Sequence, residues 1–383
     1  MFKKKGYSLS YYRFSVVAIV VALLALSCVL LQRLQGGETQ VMLKQIAGIL
    51  LGLFVMVMVS LVDYHFICKY VTYSMFPLDY GWKHYEAKRW IKIGGHGQAG
   101  SGFEFMPSEI SKLILIIFMA KLFCLLEKRI NTVLGLLVIV ITVGIPIFLV
   151  FDQPDLSTSI VLTASFLFLL FIAGLSYKIL SVGLLVGIPM LAGLFWYVMQ
   201  DYQILLNEYQ QDRIISLFNP EQYPKLMYQQ NNAAAAVAAG GMFGKTIVGD
   251  PGRRLTDFVP VVESDFIFTS VAEEFGFVGC VFVLLLFFSF VFLSFHIARR
   301  AKDRLGYLIA SGIAITITLQ TVVNIGVVLS LLPNTGIPLP FLSIGLSSLI
   351  TNMATVGLLL NVGLQDRDVV VDEKYEFEEG LLD

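Results

Sequence analysis

The chain has 383 residues, of which 57% are hydrophobic and 14% charged, with a formal net charge of −1 and a mean hydropathy of +0.78. Soluble domains carry about 25% charged residues, so this composition excludes a water-soluble globular protein and indicates a polytopic membrane protein. No basic block offers a footing for nucleic acid, and Cys28, Cys68, Cys124 and Cys280 all lie in or beside apolar stretches, which argues against a disulfide framework or a Cys-ligated metal site.

A membrane-crossing helix needs about 20 apolar residues. In chain order, such stretches fall near 14–32, 41–62, 107–126, 132–151, 156–176, 178–199, 267–295, 305–332 and 341–363. The first follows Lys3, Lys4 and Lys5 but is too long for the core of a signal peptide and lacks a small-residue cleavage site, so it reads as an uncleaved helix. A further stretch, 64–80, is short and broken by Lys69, Pro77 and Asp79. Lys and Arg favour the cytoplasmic side. The clusters at Lys3–Lys5 and Arg13, at Lys128 and Arg129, and at Arg299, Arg300, Lys302 and Arg304 share that side only if 64–80 also crosses. Lys83, Lys88, Arg89 and Lys92 run against this arrangement.

The expected fold is therefore an all-α integral membrane protein with about ten transmembrane helices, a single membrane domain over 1–383. Both termini are expected in the cytoplasm, the acidic tail 364–383 included, with a large extracellular loop, 200–266, between the seventh and eighth helices. That loop is polar from Asp201 to Asn232. It then turns small and apolar in AAAAVAAGGMFGK, where the Ala run suits a short re-entrant or interfacial helix ended by Gly240 and Gly241.

Six stretches carry candidate chemistry. In TDFVPVVESDFIFTSVAEEFGFVG, Thr256 to Gly279, Asp265 sits at the mouth of a span, where partial desolvation raises a carboxyl pKa toward the range useful to a general base. Ser270 and Glu273 in the same stretch have the spacing of a capping box, which would make Glu273 a helix cap only. Arg89-Trp90 reads either as a boundary anchor or as a phosphate contact, since a guanidinium matches phosphate oxygens in a fork. In MPSEISK, Glu109 and Lys112 are three residues apart on one helix face, as a structural ion pair or a functional one. In DQPDLST, Asp155 suits a cap and Gln153 a sugar or amide contact. GGMFGK, ending at Lys245, lacks P-loop spacing and is either a flexible turn or a backbone cradle for phosphate, with Arg253 and Arg254 nearby. From Asn324 to Ser348, Pro333, Gly336, Pro338 and Pro340 break the helical pattern, as an outer turn or as a cavity wall.

Taken in order, these pieces resemble the SEDS family of RodA, FtsW and SpoVE over about Asp63 to Gly363. The motifs are A-K-R-W-I, P-S-E-x-x-K, Q-P-D-L-x-T, G-G-x-F-G-K, S-D-F-I-F with A-E-E-x-G-F-x-G, and L-P-x-T-G-I-P-L-P-F, whose wording is slightly more RodA-like. The resemblance implies a ten-span glycosyltransferase of the bacterial cytoplasmic membrane that polymerises lipid II into glycan strands for elongation, division or sporulation. It implies Asp265 as the essential acid and places the family's arginine, glutamate and lysine on Arg89, Glu109 and Lys112; with Gln153, Lys245 and Ser343 these are the candidate substrate contacts. A divalent cation (Mg or Mn) is compatible with the chemistry, either beside the diphosphate or ligated by Asp265 itself, with no separate metal site marked in the sequence. The implied partners are lipid II, membrane lipid and a class B penicillin-binding protein. Departures from the family pattern are Met106 before P-S-E, Ser157 in place of Gly, Val261-Val262-Glu263-Ser264 before Asp265 in place of E-x-H-T, and Ser343-Ile344-Gly345-Leu346-Ser347 in place of S-Y-G-G-S. A flippase or transporter of lipid-linked precursors, and an inactive scaffold that recruits a transpeptidase, are the rival readings.

Overall fold

Lipid offers the backbone no hydrogen-bond partners, so the apolar stretches close their bonds internally as helices. The computed structural model describes residues 12–34, 39–71, 82–84, 87–93, 103–152, 156–200, 202–249 and 253–365. The helices are α1 (Phe14–Leu34), α2 (Thr39–Leu61), α3 (Tyr64–Val71), α4 (Pro107–Leu125), α5 (Val133–Asp152), α6 (Leu156–Ile172), α7 (Tyr177–Val198), α8 (Glu208–Phe218), α9 (Pro224–Ala239), α10 (Gly244–Val248), α11 (Ile267–Arg300), α12 (Arg304–Val328) and α13 (Leu346–Leu364). Seven of them, α1, α2, α5, α7, α11, α12 and α13, are long and apolar enough to cross a membrane. Helices thus occupy all ten expected positions, but α4 carries Glu109, Lys112 and Lys121, α6 has 17 residues, and only eight residues of the third position fall in α3.

One expectation needs correction. The chain is not wholly α: β1 (Trp82–His84), β2 (Ala87–Ile93) and β3 (Phe103–Phe105) form a three-stranded antiparallel sheet in which Trp82 pairs with Trp90 and Ile91 with Phe105. The signal was the alternation of Ile91-Lys92-Ile93 and Phe103-Glu104-Phe105, too short to stand out against the apolar runs around it. Residues 200–266 are largely helical: α8, α9, α10 and a 3-10 helix (Leu255–Phe258) fill most of the segment. The Ala run lies in α9 and ends where Gly240 caps it.

Within the membrane domain the described residues group into two compact units. One gathers residues up to Leu126 with Leu285–Thr318 and the chain from Pro340. Its centre is α13, buried along almost its whole length and packed on α2. Small residues permit that approach. A Cβ at Gly357 would stand 2.5 Å from the Met56 carbonyl, and one at Gly52 would stand 2.8 Å from the Met353 side chain. At one end of this unit, Tyr64 N–H donates to Asn361 Oδ1 at 3.0 Å, and Asn361 Nδ2 donates to the Ser60 carbonyl at 2.8 Å. Asp303, between α11 and α12, accepts from the Tyr64 hydroxyl and from Gly306 N–H, both at 2.8 Å. His65 places one ring nitrogen 2.8 Å from Asp63 and the other 2.7 Å from Asp303; both can donate only when the ring is an imidazolium. Burial pushes the Asp303 carboxyl up, but the bonds from His65, Gly306 and Tyr64 outweigh it and hold the pKa at about 2.

The other unit comprises Glu127–Leu284 and Leu319–Leu339. Here α5 and α6 pair. Asn131 bridges to the far end of α6, donating to the Gly174 carbonyl at 3.0 Å and accepting from Ser176 N–H at 2.7 Å. In α7 only Val198 is buried, which leaves its apolar sides exposed as in a lipid-facing helix. The amphipathic α8 and the Ala-rich α9 pack together, and α9 covers the 3-10 helix Leu255–Phe258. These elements hold the acidic stretch that the sequence singles out.

Candidate active site

The site is built on a helix that breaks. In α11, Gly276 has φ 65° and ψ −162°, a conformation closed to side chains, so Phe277 N–H and Val278 N–H leave the helical ladder. They donate instead to the Gly241 and Met242 carbonyls, at 2.9 and 3.2 Å. The GGMFGK segment therefore packs backbone against backbone on α11, and a Cβ on Gly276 would stand 2.6 Å from the Met242 carbonyl. This is the physical reason for the clustered glycines.

The acidic pair on α11 locks the same segment. Glu273, whose side chain is fully buried, accepts from Lys245 Nζ at 2.6 Å and from the N–H groups of Leu255 and Thr256 at 2.7 and 2.8 Å. It thus caps the 3-10 helix Leu255–Phe258 and not its own helix. The capping box with Ser270 does not form because α11 begins earlier, at Ile267, and Ser270 Oγ is buried with no hydrogen-bond partner among the described residues. Arg254 Nε donates to Glu274 at 2.7 Å, and Thr246 Oγ1 donates to the same carboxylate. The structure places Lys245 on the Glu273 carboxylate, with a second bond to the Arg253 carbonyl at 3.0 Å.

Asp265 stands two residues before α11, on a turn anchored by the buried Phe266 and Ile267. That turn holds Val261 at φ 55°, a left-handed conformation that is strained for a β-branched residue. The Asp265 carbonyl is fixed by Asn324 Nδ2 at 2.8 Å, and the same amide holds the Ile337 carbonyl at 2.8 Å. One residue earlier, Gly336 faces the carboxylate: a Cβ there would stand 3.3 Å from Asp265 Oδ2. Ser264 Oγ donates to Asp265 Oδ1 at 2.8 Å. Desolvation pushes the Asp265 carboxyl above its ordinary range; the Ser264 bond and the charge of Arg213 oppose the rise, and Glu263 adds to it. The result is a partly exposed carboxylate with raised proton affinity beside a polar wall, the environment a general base requires.

The wall is the segment from Leu329 to Ile337, which the sequence marks as broken by proline and glycine. Gln230 of α9 donates to the Val327 and Leu332 carbonyls at 3.1 and 2.8 Å, and Asn334 Nδ2 donates to Gln229 at 2.8 Å. Ser157 Oγ donates to the Thr335 carbonyl, so the hydroxyl that replaces the family's glycine has a structural use. Arg213 of α8, absent from the sequence-based candidates, donates to the Asn334 carbonyl at 3.0 Å. Its only sequence signal is that no other Lys, Arg or His falls between Lys178 and Lys225.

In the first unit, Glu109 and Lys112 form the expected i,i+3 pair at 2.8 Å in the first turns of α4, both buried, and Glu109 Oε2 has no further hydrogen-bond partner among the described residues. Met106 N–H, which opens α4, donates to Ser347 Oγ at 3.1 Å. Ser343 is buried in the turn before α13. Arg89 falls within β2, with its side chain outside the described residues, and Gln153 lies outside them altogether. No three His, Cys, Asp or Glu side chains converge as metal ligands among the described residues. Among the described residues, Glu263 is the acidic group whose charge acts on Asp265.

Residues 8–368 match the family described as cell cycle protein, covering FtsW, RodA and SpoVE. The chain belongs to this family. It is 30% identical over 363 residues to the peptidoglycan glycosyltransferase MrdB of Escherichia coli K12, covering 91% of this chain and 92% of that one. It is 34% identical over 283 residues to the stage V sporulation protein E of Bacillus subtilis, covering 73% and 72%. Among solved structures, it is similar to a chain from a peptidoglycan synthase complex that coordinates polymerization with crosslinking, with a TM-score of 0.76, 27% identity, and 94% and 98% of the two chains covered. It also matches the rod shape determining protein RodA of Thermus thermophilus, with a TM-score of 0.64, 25% identity, and 92% and 96% covered. Family membership establishes a multi-pass membrane protein and explains why the acidic motif and the glycine motif occur together.

Proposed function

We propose that this chain is a peptidoglycan glycosyltransferase that polymerises lipid II at the outer face of the bacterial cytoplasmic membrane. The observation that carries the reading is a family-position carboxylate, Asp265, desolvated and fixed against a polar wall at the mouth of α11. In the reaction, Asp265 takes the proton of the acceptor sugar hydroxyl as its oxygen bonds to the donor's anomeric carbon. The bond from that carbon to the diphosphate breaks, and its electron pair leaves with the diphosphate. A positioned base contributes roughly 10²–10⁴-fold to such a step. Burial of Glu109 and Lys112 as an ion pair supports a lining or orienting role for them. Arg89, Gln153 and Ser343 remain proposed substrate contacts. Ten crossings, cytoplasmic termini and an outward-facing 200–266 region fit a lipid substrate that enters sideways from the bilayer. A class B penicillin-binding protein is the proposed partner, because the new strand must be crosslinked.

The test is lipid II polymerisation by the purified protein with its partner in liposomes, wild type against Asp265→Asn. Glycan strands from wild type and none from a folded variant are expected. Equal product from both removes Asp265 from the mechanism. No product from either, with the partner still bound, favours a scaffold or a flippase.

A further inference from the structure

Polymerisation leaves negative charge on a departing diphosphate, and the two lysines read from the sequence as its ligands already serve carboxylates. Lys245 sits 2.6 Å from Glu273 and Lys112 sits 2.8 Å from Glu109. Among the described residues, Arg213 is the cation whose charge acts on Asp265. Both residues border the short segment Asn334–Gly336: Arg213 Nη1 donates to the Asn334 carbonyl at 3.0 Å, and Gly336 faces the Asp265 carboxylate across the space a side chain would fill. Between them, Asn334 Oδ1 and Thr335 Oγ1 are buried with no hydrogen-bond partner among the described residues. Buried polar atoms rarely stay unpaired, so these point to a polar ligand that completes them.

We propose that Arg213 is the cation that binds the diphosphate of the lipid-linked sugar at the Asp265 site, with the Asn334 and Thr335 side chains receiving the polar groups next to it. The assignment rests on the glycosyltransferase reading and deepens it. Guanidinium carries five N–H donors, so its anchor on Asn334 is compatible with a forked contact to two phosphate oxygens. As the anomeric carbon–oxygen bond breaks, that contact strengthens with the charge gathering on the leaving oxygen. The same charge favours the ionised form of Asp265, which must be deprotonated to act as base. Arg213 is held by a helix and a hydrogen-bonded loop, so little ordering is left for the substrate to impose.

The test compares wild type, Arg213→Gln and Arg213→Lys in liposomes. It reads three quantities: polymerisation rate against lipid II concentration and pH, binding of undecaprenyl diphosphate, and thermal midpoint. Arg213→Gln should lower kcat/KM roughly ten- to hundredfold and weaken undecaprenyl diphosphate binding, with the midpoint within a few degrees of wild type. Its acidic pH limb should move to higher pH, because the Arg213 charge no longer opposes the desolvation of Asp265. Arg213→Lys should restore the pH limb but not the full diphosphate affinity, since an ammonium lacks the fork. Unchanged kcat/KM and diphosphate affinity in Arg213→Gln, with active wild type, overturn the assignment. If wild type makes no polymer, the glycosyltransferase reading fails, and undecaprenyl diphosphate binding then decides Arg213 alone: loss in the Gln variant sustains it and equal binding overturns it. If Arg213→Gln does not fold, Arg213→Lys decides in the same way.

Discussion

Removing the Glu273 carboxylate should unlock the glycine segment from α11. Glu273→Ala deletes the partner of Lys245, whose side chain is only 12% exposed, and the acceptor of two backbone N–H groups at 2.7 and 2.8 Å. Stripping one partner from a buried ion pair costs about 3–5 kcal/mol, because the other charge stays behind. Lys245→Met leaves a carboxylate that still accepts two N–H bonds, so its cost should be smaller, about 1–3 kcal/mol. The double variant should cost less than the sum of the two, since it strands no charge. Thermal denaturation of the detergent-solubilised protein reads this directly, and 3–5 kcal/mol corresponds to a drop of roughly 5–10 °C in a large domain. Polymerisation assayed well below the midpoint separates staple from ligand. A structural Lys245 predicts that folded Lys245→Met keeps its kcat/KM within about threefold. A Glu273→Ala midpoint within 1 °C of wild type would refute the reasoning. So would a Lys245→Met variant that folds normally but loses activity, which would return Lys245 to the substrate.

Gly276→Ala should cost about 3–5 kcal/mol, because it combines left-handed backbone strain at φ 65° with a Cβ 2.6 Å from the Met242 carbonyl; the check is loss of folded protein in size-exclusion chromatography after mild heating. The pH response of the Asp303 cluster has a definite sign. Its folded pKa of about 2 lies below the ordinary 3.8, so its contribution is present above about pH 4 and is lost as pH falls through 2. With the side chain 36% exposed, screening limits that contribution to about 1 kcal/mol. Asp303→Asn should lower the thermal midpoint at pH 6, and the gap from wild type should close as pH approaches 2; a gap that is constant with pH contradicts the arrangement.

How much of the site the sequence carried depends on range. Glu109 and Lys112 were legible as a pair because three residues on a helix bring side chains together whatever the rest of the chain does. Asp265 was legible because a carboxylate beside a long apolar run is costly and therefore purposeful. Glycines and a lysine in isolation suit an anion, so the sequence around Lys245 points to phosphate; its carboxylate partner stands 28 residues away. Arg213 gave almost no local signal, since its anchor lies 121 residues downstream and its influence on Asp265 crosses from α8 to the mouth of α11.

Hydropathy by itself determined that this chain lives in a membrane, where most of its long apolar helices lie, and that the acidic stretch after residue 256 matters, because the cost of exposing backbone and charge to lipid is paid residue by residue. Tertiary structure alone decided which carboxylate holds Lys245 and where Arg213 is anchored. It also decided why α11 breaks at Gly276, and that residues 200–266 fold into helices that grip the loop beside Asp265. Those outcomes depend on pairings between distant segments, and a buried charge takes whichever partner the fold brings to it.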